Sequence, residues 1–164
     1  MNIQDIQKIL TKYTKNNIIS FLVNKDLLVQ DANRKAKEKI MYNKLIKDKV
    51  EKKHGIYIWE NDESKEIIYI GMAGKIKQNG IIGDHSLDQR LKASREQIKI
   101  NGKNKDIATG KYLLNKMNEL KFSKVKFYIV YLETKQFPPT YVESILLYEY
   151  YIKNKRLPIL NNAF

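Results

Sequence analysis

At 164 residues the chain has room for one domain with an extension, and the absence of cysteine together with only two histidines, His54 and His85, excludes disulfide frameworks and thiolate metal sites and argues against zinc. Thirty-one Lys and Arg against 18 Asp and Glu leave a formal net charge of +13, a field that gathers polyanions, nucleic acid foremost. No apolar run approaches the roughly 20 residues of a membrane span and the first residues do not read as a signal peptide, so a cytoplasmic protein with no membrane partner is expected.

Residues 1–53 read as a helical extension. Ile3, Ile6, Leu10 and Tyr13 approximate a helical stripe, and residues 31–50 set Ala32, Ala36, Ile40, Leu45 and Ile46 among many lysines. The apolar run from Ile18 to Val23 between them fits either a strand or a buried helix. No helix-turn-helix or zinc-finger spacing occurs here, so the extension is assigned a packing role.

A β-hairpin follows. Gly55-Ile56-Tyr57 and Tyr69-Ile70-Gly71 lie on β-prone runs around the polar stretch 61–65, and a turn centred near Glu63 sets Tyr57 directly opposite Tyr69 on one face. Gly74, Gly80 and Gly83 mark a long loop. Ser86 with Gln89 three residues on is a capping-box pattern, and Leu87, Leu91, Ser94 and Ile98 extend the next helix at helical spacing. Residues 101–106 read as a polar, basic loop. Residues 111–120 read as a short helix with Leu113, Met117 and Leu120 inward. Val125, Phe127, Ile129 and Tyr131 alternate with Lys126, Tyr128 and Val130, as a strand does. Pro138-Pro139 breaks the chain before a last helix over 141–153. The class is mixed α/β (α+β): a small three-stranded, mainly antiparallel sheet packed with helices, with the domain at 54–164.

The two tripeptides give the chain its resemblance to the GIY-YIG endonuclease family, and further pieces follow in the family's order. Arg90 matches the arginine on the helix after the hairpin, Glu143 the glutamate of a late apolar helix, and Asn161, after Pro158, the terminal asparagine. The match runs from about His54 to the C-terminus. Ser94 stands where many members carry a histidine one helical turn after the arginine. The stretch from Gly71 to Arg90 is longer than in compact members and resembles the restriction-enzyme branch.

The residues themselves bear on this chemistry. The helix around Glu143 is apolar around most of its circumference, which predicts burial, and Glu143 shares a face with Leu147 and Tyr150. An ionised carboxylate there needs a partner or a cation. Mg²⁺ held by one carboxylate, waters and a substrate phosphate is an ordinary arrangement, and an ion pair or exposure at the helix edge is the alternative. Arg90, at the margin of the buried stripe, can reach a phosphate with two parallel hydrogen bonds, or pair with Asp88 or Glu96, or stand in solvent. A phenol near pKa 10 is a poor base unless cations lower it, which Arg90 and a bound metal would do. The resemblance implies Tyr57 as general base and Tyr69 as the residue positioning water or phosphate. The residues alone leave those roles interchangeable, or both as ordinary sheet tyrosines among eleven.

Gly71 is assigned a close approach of backbone or phosphate, and Asn161 an orienting or tail-fastening role. Lys75, His85 and His54 are further candidates, with His85 a stand-in for the missing histidine if the long loop folds back. The resemblance implies a Mg²⁺ (or Mn²⁺)-dependent endonuclease that hydrolyses phosphodiester bonds of double-stranded DNA, in the manner of a small restriction, phage or mobile-element nuclease. A catalytically inactive DNA-binding module of the same fold is the competing class, on the strength of Ser94; a structure-specific or RNA nuclease is a third. One such site cuts one strand, so a monomer nicking twice and a homodimer both stay open.

Overall fold

The structure, a computed structural model, describes residues 1–15, 17–35, 40–83, 85–100, 102–134 and 136–162. In chain order the elements are α1 (Ile3–Leu10), β1 (Ile19–Asn24), α2 (Lys25–Asn33), α3 (Met41–Lys49), β2 (Gly55–Asn61), β3 (Ile67–Ala73), α4 (Leu87–Lys92), β4 (Ser94–Ile100), β5 (Lys103–Ala108), α5 (Thr109–Glu119), β6 (Lys124–Tyr131) and α6 (Pro139–Asn154). The mixed α+β architecture expected from the sequence is the one observed.

The main sheet has four strands, not three, in the order β1-β6-β2-β3, and every pairing is antiparallel. The fourth strand is the Ile18–Val23 run, whose Phe21 and Val23 are buried while Ser20, Leu22 and Asn24 face out. Helices cover both faces, so β2 is buried along nearly its whole length. Tyr57 and Trp59 point into a core shared with α2, α3, α4 and α5. Ile56 and Ile58 point the other way, into a core built with α1 and α6. Residues 1–53 contribute to both cores: Ile3, Ile6 and Leu10 to one, Phe21, Leu28 and Ile46 to the other. Ala36 of the predicted stripe lies outside the described residues.

The helix after the long loop is shorter than its apolar spacing predicts. Ser86 does close a capping box with Gln89, but α4 ends at Lys92, where Ala93 N–H reaches the Gln89 carbonyl. Ser94 and Ile98 belong instead to β4, which among the described residues pairs only with β5 as a separate two-stranded ribbon; of the segment read as a loop, Asn101 lies outside the described residues and residues 103–106 form the return strand. The Asn101-Gly102 dipeptide between two alternating runs is a hairpin turn signal, and Gly102 has φ +76°. Alternation outweighed a four-residue apolar coincidence.

α6 is also less buried than its mostly apolar circumference predicts. Val142, Leu146, Leu147 and Tyr150 are buried, while Tyr141, Tyr148, Tyr151 and Ile152 are exposed. Pro139 occupies its first turn, where a missing N–H costs nothing. No helix among the described residues is long and apolar enough to cross a membrane.

Candidate active site

β3 is an edge strand, and its outward-facing backbone groups are taken by side chains and by the C-terminal tail. The Asn161 amide donates to the Ile70 carbonyl at 2.8 Å and its Oδ1 accepts from Ile70 N–H at 2.9 Å, as a neighbouring strand would. Leu160 N–H donates to the Ile68 carbonyl at 2.9 Å. The Met72 backbone lies beside the Glu143 carboxylate and favours its charged form. This covers an edge that would otherwise invite another chain. It also fixes Glu143 and the tail against the hairpin, so Asn161 fastens structure, as expected.

Around that edge lies a cleft with two lobes of about 320 and 440 Å³. Tyr69, Arg90 and Glu143 border both lobes; Tyr57, Lys75 and His85 border the first, and Arg95, Thr140 and Asn161 the second. Tyr57, Tyr69, Arg90 and Glu143 are therefore brought together, with Gly71 and Asn161 behind them. His54 is not among them. It faces a different hollow, beside Lys53 and Tyr131, on the far side of Gly74. Ser94 is exposed on β4 rather than one helical turn beyond Arg90.

The tyrosines are offset from the directly opposed pairing predicted. Tyr57 pairs with Gly71, and Tyr69 pairs with Trp59, because a bulge after Trp59 shifts the register at the turn. Both phenols still share one face, with ring centroids 5.7 Å apart and planes within 20°. Gly71 makes room for them rather than for a phosphate: the space its missing side chain would fill is occupied by the two rings.

A residue the sequence did not single out completes the pair. Arg95 donates from Nη1 to the Tyr69 hydroxyl at 2.8 Å and from Nη2 to the Tyr57 hydroxyl. Its guanidinium carbon lies 4.5 Å from the Tyr69 ring centroid, 5.2 Å from that of Tyr57 and 5.0 Å from Trp59. Ser94 pairs with Ala108 and Glu96 with Ile107, so Arg95 is the extra residue of a β-bulge, which turns it into the core. A helix running through residue 98 leaves no bulge to turn Arg95 inward; the Asn-Gly dipeptide in the sequence is the signal that marks a strand here instead.

Glu143 is half-buried rather than fully buried as its helix predicts, and its electrostatics set it apart from the buried carboxylates Asp88 and Glu60. Asp88 is bonded to Ser86 and Lys92, and Glu60 accepts from Tyr128 at 3.1 Å. Burial pushes the Glu143 carboxyl up to about 7, against the opposing pull of the Arg90 and Arg95 guanidinium groups and the Met72 backbone. Burial likewise raises the Tyr57 phenol above its ordinary value despite Arg95 and Arg90 nearby. Arg90, one of the cations expected to depress it, is nearby together with Arg95, but removal from water outweighs them.

Among the described residues Glu143 is the one carboxylate bordering the cleft, and no three His, Cys, Asp or Glu side chains cluster as a metal cage. That donor set fits Mg²⁺ or Mn²⁺, which takes one carboxylate and fills its remaining positions with water and phosphate oxygen; it does not fit zinc. Comparison of the chain with protein-family models, with curated proteins and with solved structures gave no match.

Proposed function

We propose that the chain is a Mg²⁺- or Mn²⁺-dependent endonuclease acting on double-stranded DNA. The observation that carries the reading is the convergence of Tyr57, Tyr69, Arg90 and Glu143 on one cleft from three separate parts of the chain, with the formal charge of +13 favouring a polyanionic substrate. Charge alone speaks of binding; this convergence is what speaks for hydrolysis.

Each residue has a distinct task. The exposed Arg90 guanidinium, at the junction of the lobes, binds a non-bridging phosphate oxygen through paired hydrogen bonds. Glu143, held to the β3 edge, is the anionic ligand for the divalent ion, which when bound neutralises charge on the phosphoryl and leaving oxygens. Tyr57 accepts the proton of the attacking water, and Tyr69, bordering both lobes, orients that water. Tyr57 has no accessible surface, so the transfer requires the site to open at its hydroxyl while Arg95 and Arg90 stay close enough to favour the phenolate that takes up the proton. Lysines around the cleft add salt-sensitive phosphate contacts.

Supercoiled plasmid incubated with the chain in Mg²⁺ and in EDTA, alongside Glu143→Ala, tests this reading. Nicked or linear product in Mg²⁺ alone, lost in the variant while DNA binding persists, supports an endonuclease. Binding without cleavage in any divalent ion would assign the chain to a non-catalytic DNA-binding module.

A further inference from the structure

The ribbon β4–β5 belongs to neither core beyond its base. Among the described residues it pairs with no other strand, and a lone two-stranded hairpin is marginally stable in water. Its root is secured by the buried Ile107 and by Thr109, whose N–H and hydroxyl both donate to the Ala93 carbonyl, at 3.1 and 2.7 Å. Outward from there Glu96, Gln97, Lys99, Lys103, Asn104, Lys105 and Asp106 are all exposed. One face carries two cross-strand pairs, Gln97 opposite Asp106 and Lys99 opposite Asn104, with Gln97 Nε2 donating to Asp106 Oδ1 at 2.9 Å.

We propose that this ribbon lies in the major groove of B-form duplex DNA and reads the target there, an inference that rests on the nuclease reading and narrows its substrate class. The major groove admits a two-stranded ribbon, and amide, ammonium and carboxylate groups are the side chains that match base edges within it. Lys103 and Lys105, toward the tip on the opposite face, add positive charge that favours the flanking phosphates. The same lysines oppose strand pairing with a second copy of the chain. The deep, narrow major groove of A-form RNA excludes such a ribbon. At its root the bulged Arg95 joins the ribbon to the tyrosine pair, so a groove-seated ribbon places the adjacent phosphates at the cleft.

The test compares the chain with a Lys99→Ala/Asn104→Ala double variant, both surface positions, in EDTA so that no cleavage intervenes. The probe is plasmid-derived duplex DNA, untreated or methylated at guanine N7, which lies in the major groove. Methylation is expected to weaken binding by the unaltered chain about tenfold or more, and the double variant is expected to lose that sensitivity and, in Mg²⁺, to give a changed band pattern. Binding indifferent to N7 methylation, equal competition by duplex RNA, or a double variant matching the unaltered chain in both readouts would overturn the ribbon's role. Loss of self-association in the double variant with DNA binding unchanged would also overturn it, in favour of a second copy. Absence of cleavage by the unaltered chain would count against the nuclease reading alone, since the groove measurement is made without catalysis.

Discussion

Gly71 stands directly across the hairpin from Tyr57, and a Cβ there would fall 2.6 Å from the phenol oxygen and 2.5 Å from the Tyr69 ring. The glycine is a steric condition for the stacked pair. Gly71→Ala is expected to force both rings aside, costing about 1–3 kcal/mol as overpacked cores do, and to remove cleavage. Urea unfolding measures the first and plasmid nicking the second; a variant within about 0.5 kcal/mol of the original would show that the rings yield freely.

Arg95 acts on the site through the tyrosines. Arg95→Ala leaves two phenol oxygens without their donor and removes the guanidinium that pulls the Tyr57 ionisation downward. Spectrophotometric titration at high pH is expected to show the Tyr57 phenol, identified by its absence in Tyr57→Phe, ionising at higher pH in the Arg95→Ala background. Arg95→Lys, which keeps charge but not the fork, is expected to restore the ionisation in part and cleavage little. An unchanged titration would separate Arg95 from the tyrosines.

Glu143 gives the fold a pH dependence of defined sign. Its carboxyl ionises near 7 in the folded chain and near the ordinary carboxylate value when unfolded, so between these the folded state holds the extra proton. The contribution is fully present below about pH 4.5 and is lost as pH rises through about 7. Without divalent ions, Glu143→Gln is therefore expected to gain thermal stability relative to the unaltered chain between pH 5 and 8. Parallel Tm profiles for the two would contradict the buried position of the carboxylate.

Asn161 closes the sheet edge, and Asn161→Ala removes both bonds to Ile70. The Ile70 amide is expected to exchange with deuterium faster while the amides of β6, an interior strand, keep their protection. The loss in stability should be about 1–3 kcal/mol, the cost of leaving buried backbone groups unpaired. Unchanged exchange at Ile70 would mean that the tail is not what covers β3.

Much of this arrangement was legible in the residues, and the failures share a cause. The alternation of β6, the turn between β2 and β3 and the Ser86 capping box follow from local pattern, whereas the grouping of Tyr57, Tyr69, Arg90 and Glu143 was expected from the family resemblance alone. What local pattern does not carry is register and partnership. The bulge after Trp59 moved Tyr69 off Tyr57, and Ile18–Val23 became a strand because β6 offered it an edge. Leu87, Leu91, Ser94 and Ile98 matched a helix only because two leucines on α4 precede a strand whose own alternation begins at Ser94. Arg95 was hidden by that same misreading, since its direction depends on a bulge formed with β5. The ionisation of Tyr57 reversed because its burial depends on α2 to α5 closing over the sheet.

The phenol oxygen of Tyr57 is the atom on which the proposed chemistry turns, and Tyr57→Phe removes it while leaving a ring to stack on Tyr69. Cleavage of supercoiled plasmid in Mg²⁺ should fall about 10²–10⁴-fold with DNA affinity and the folded state retained. Cleavage by Tyr57→Phe at the unaltered rate would contradict a proton-accepting role for this tyrosine and with it the proposed site.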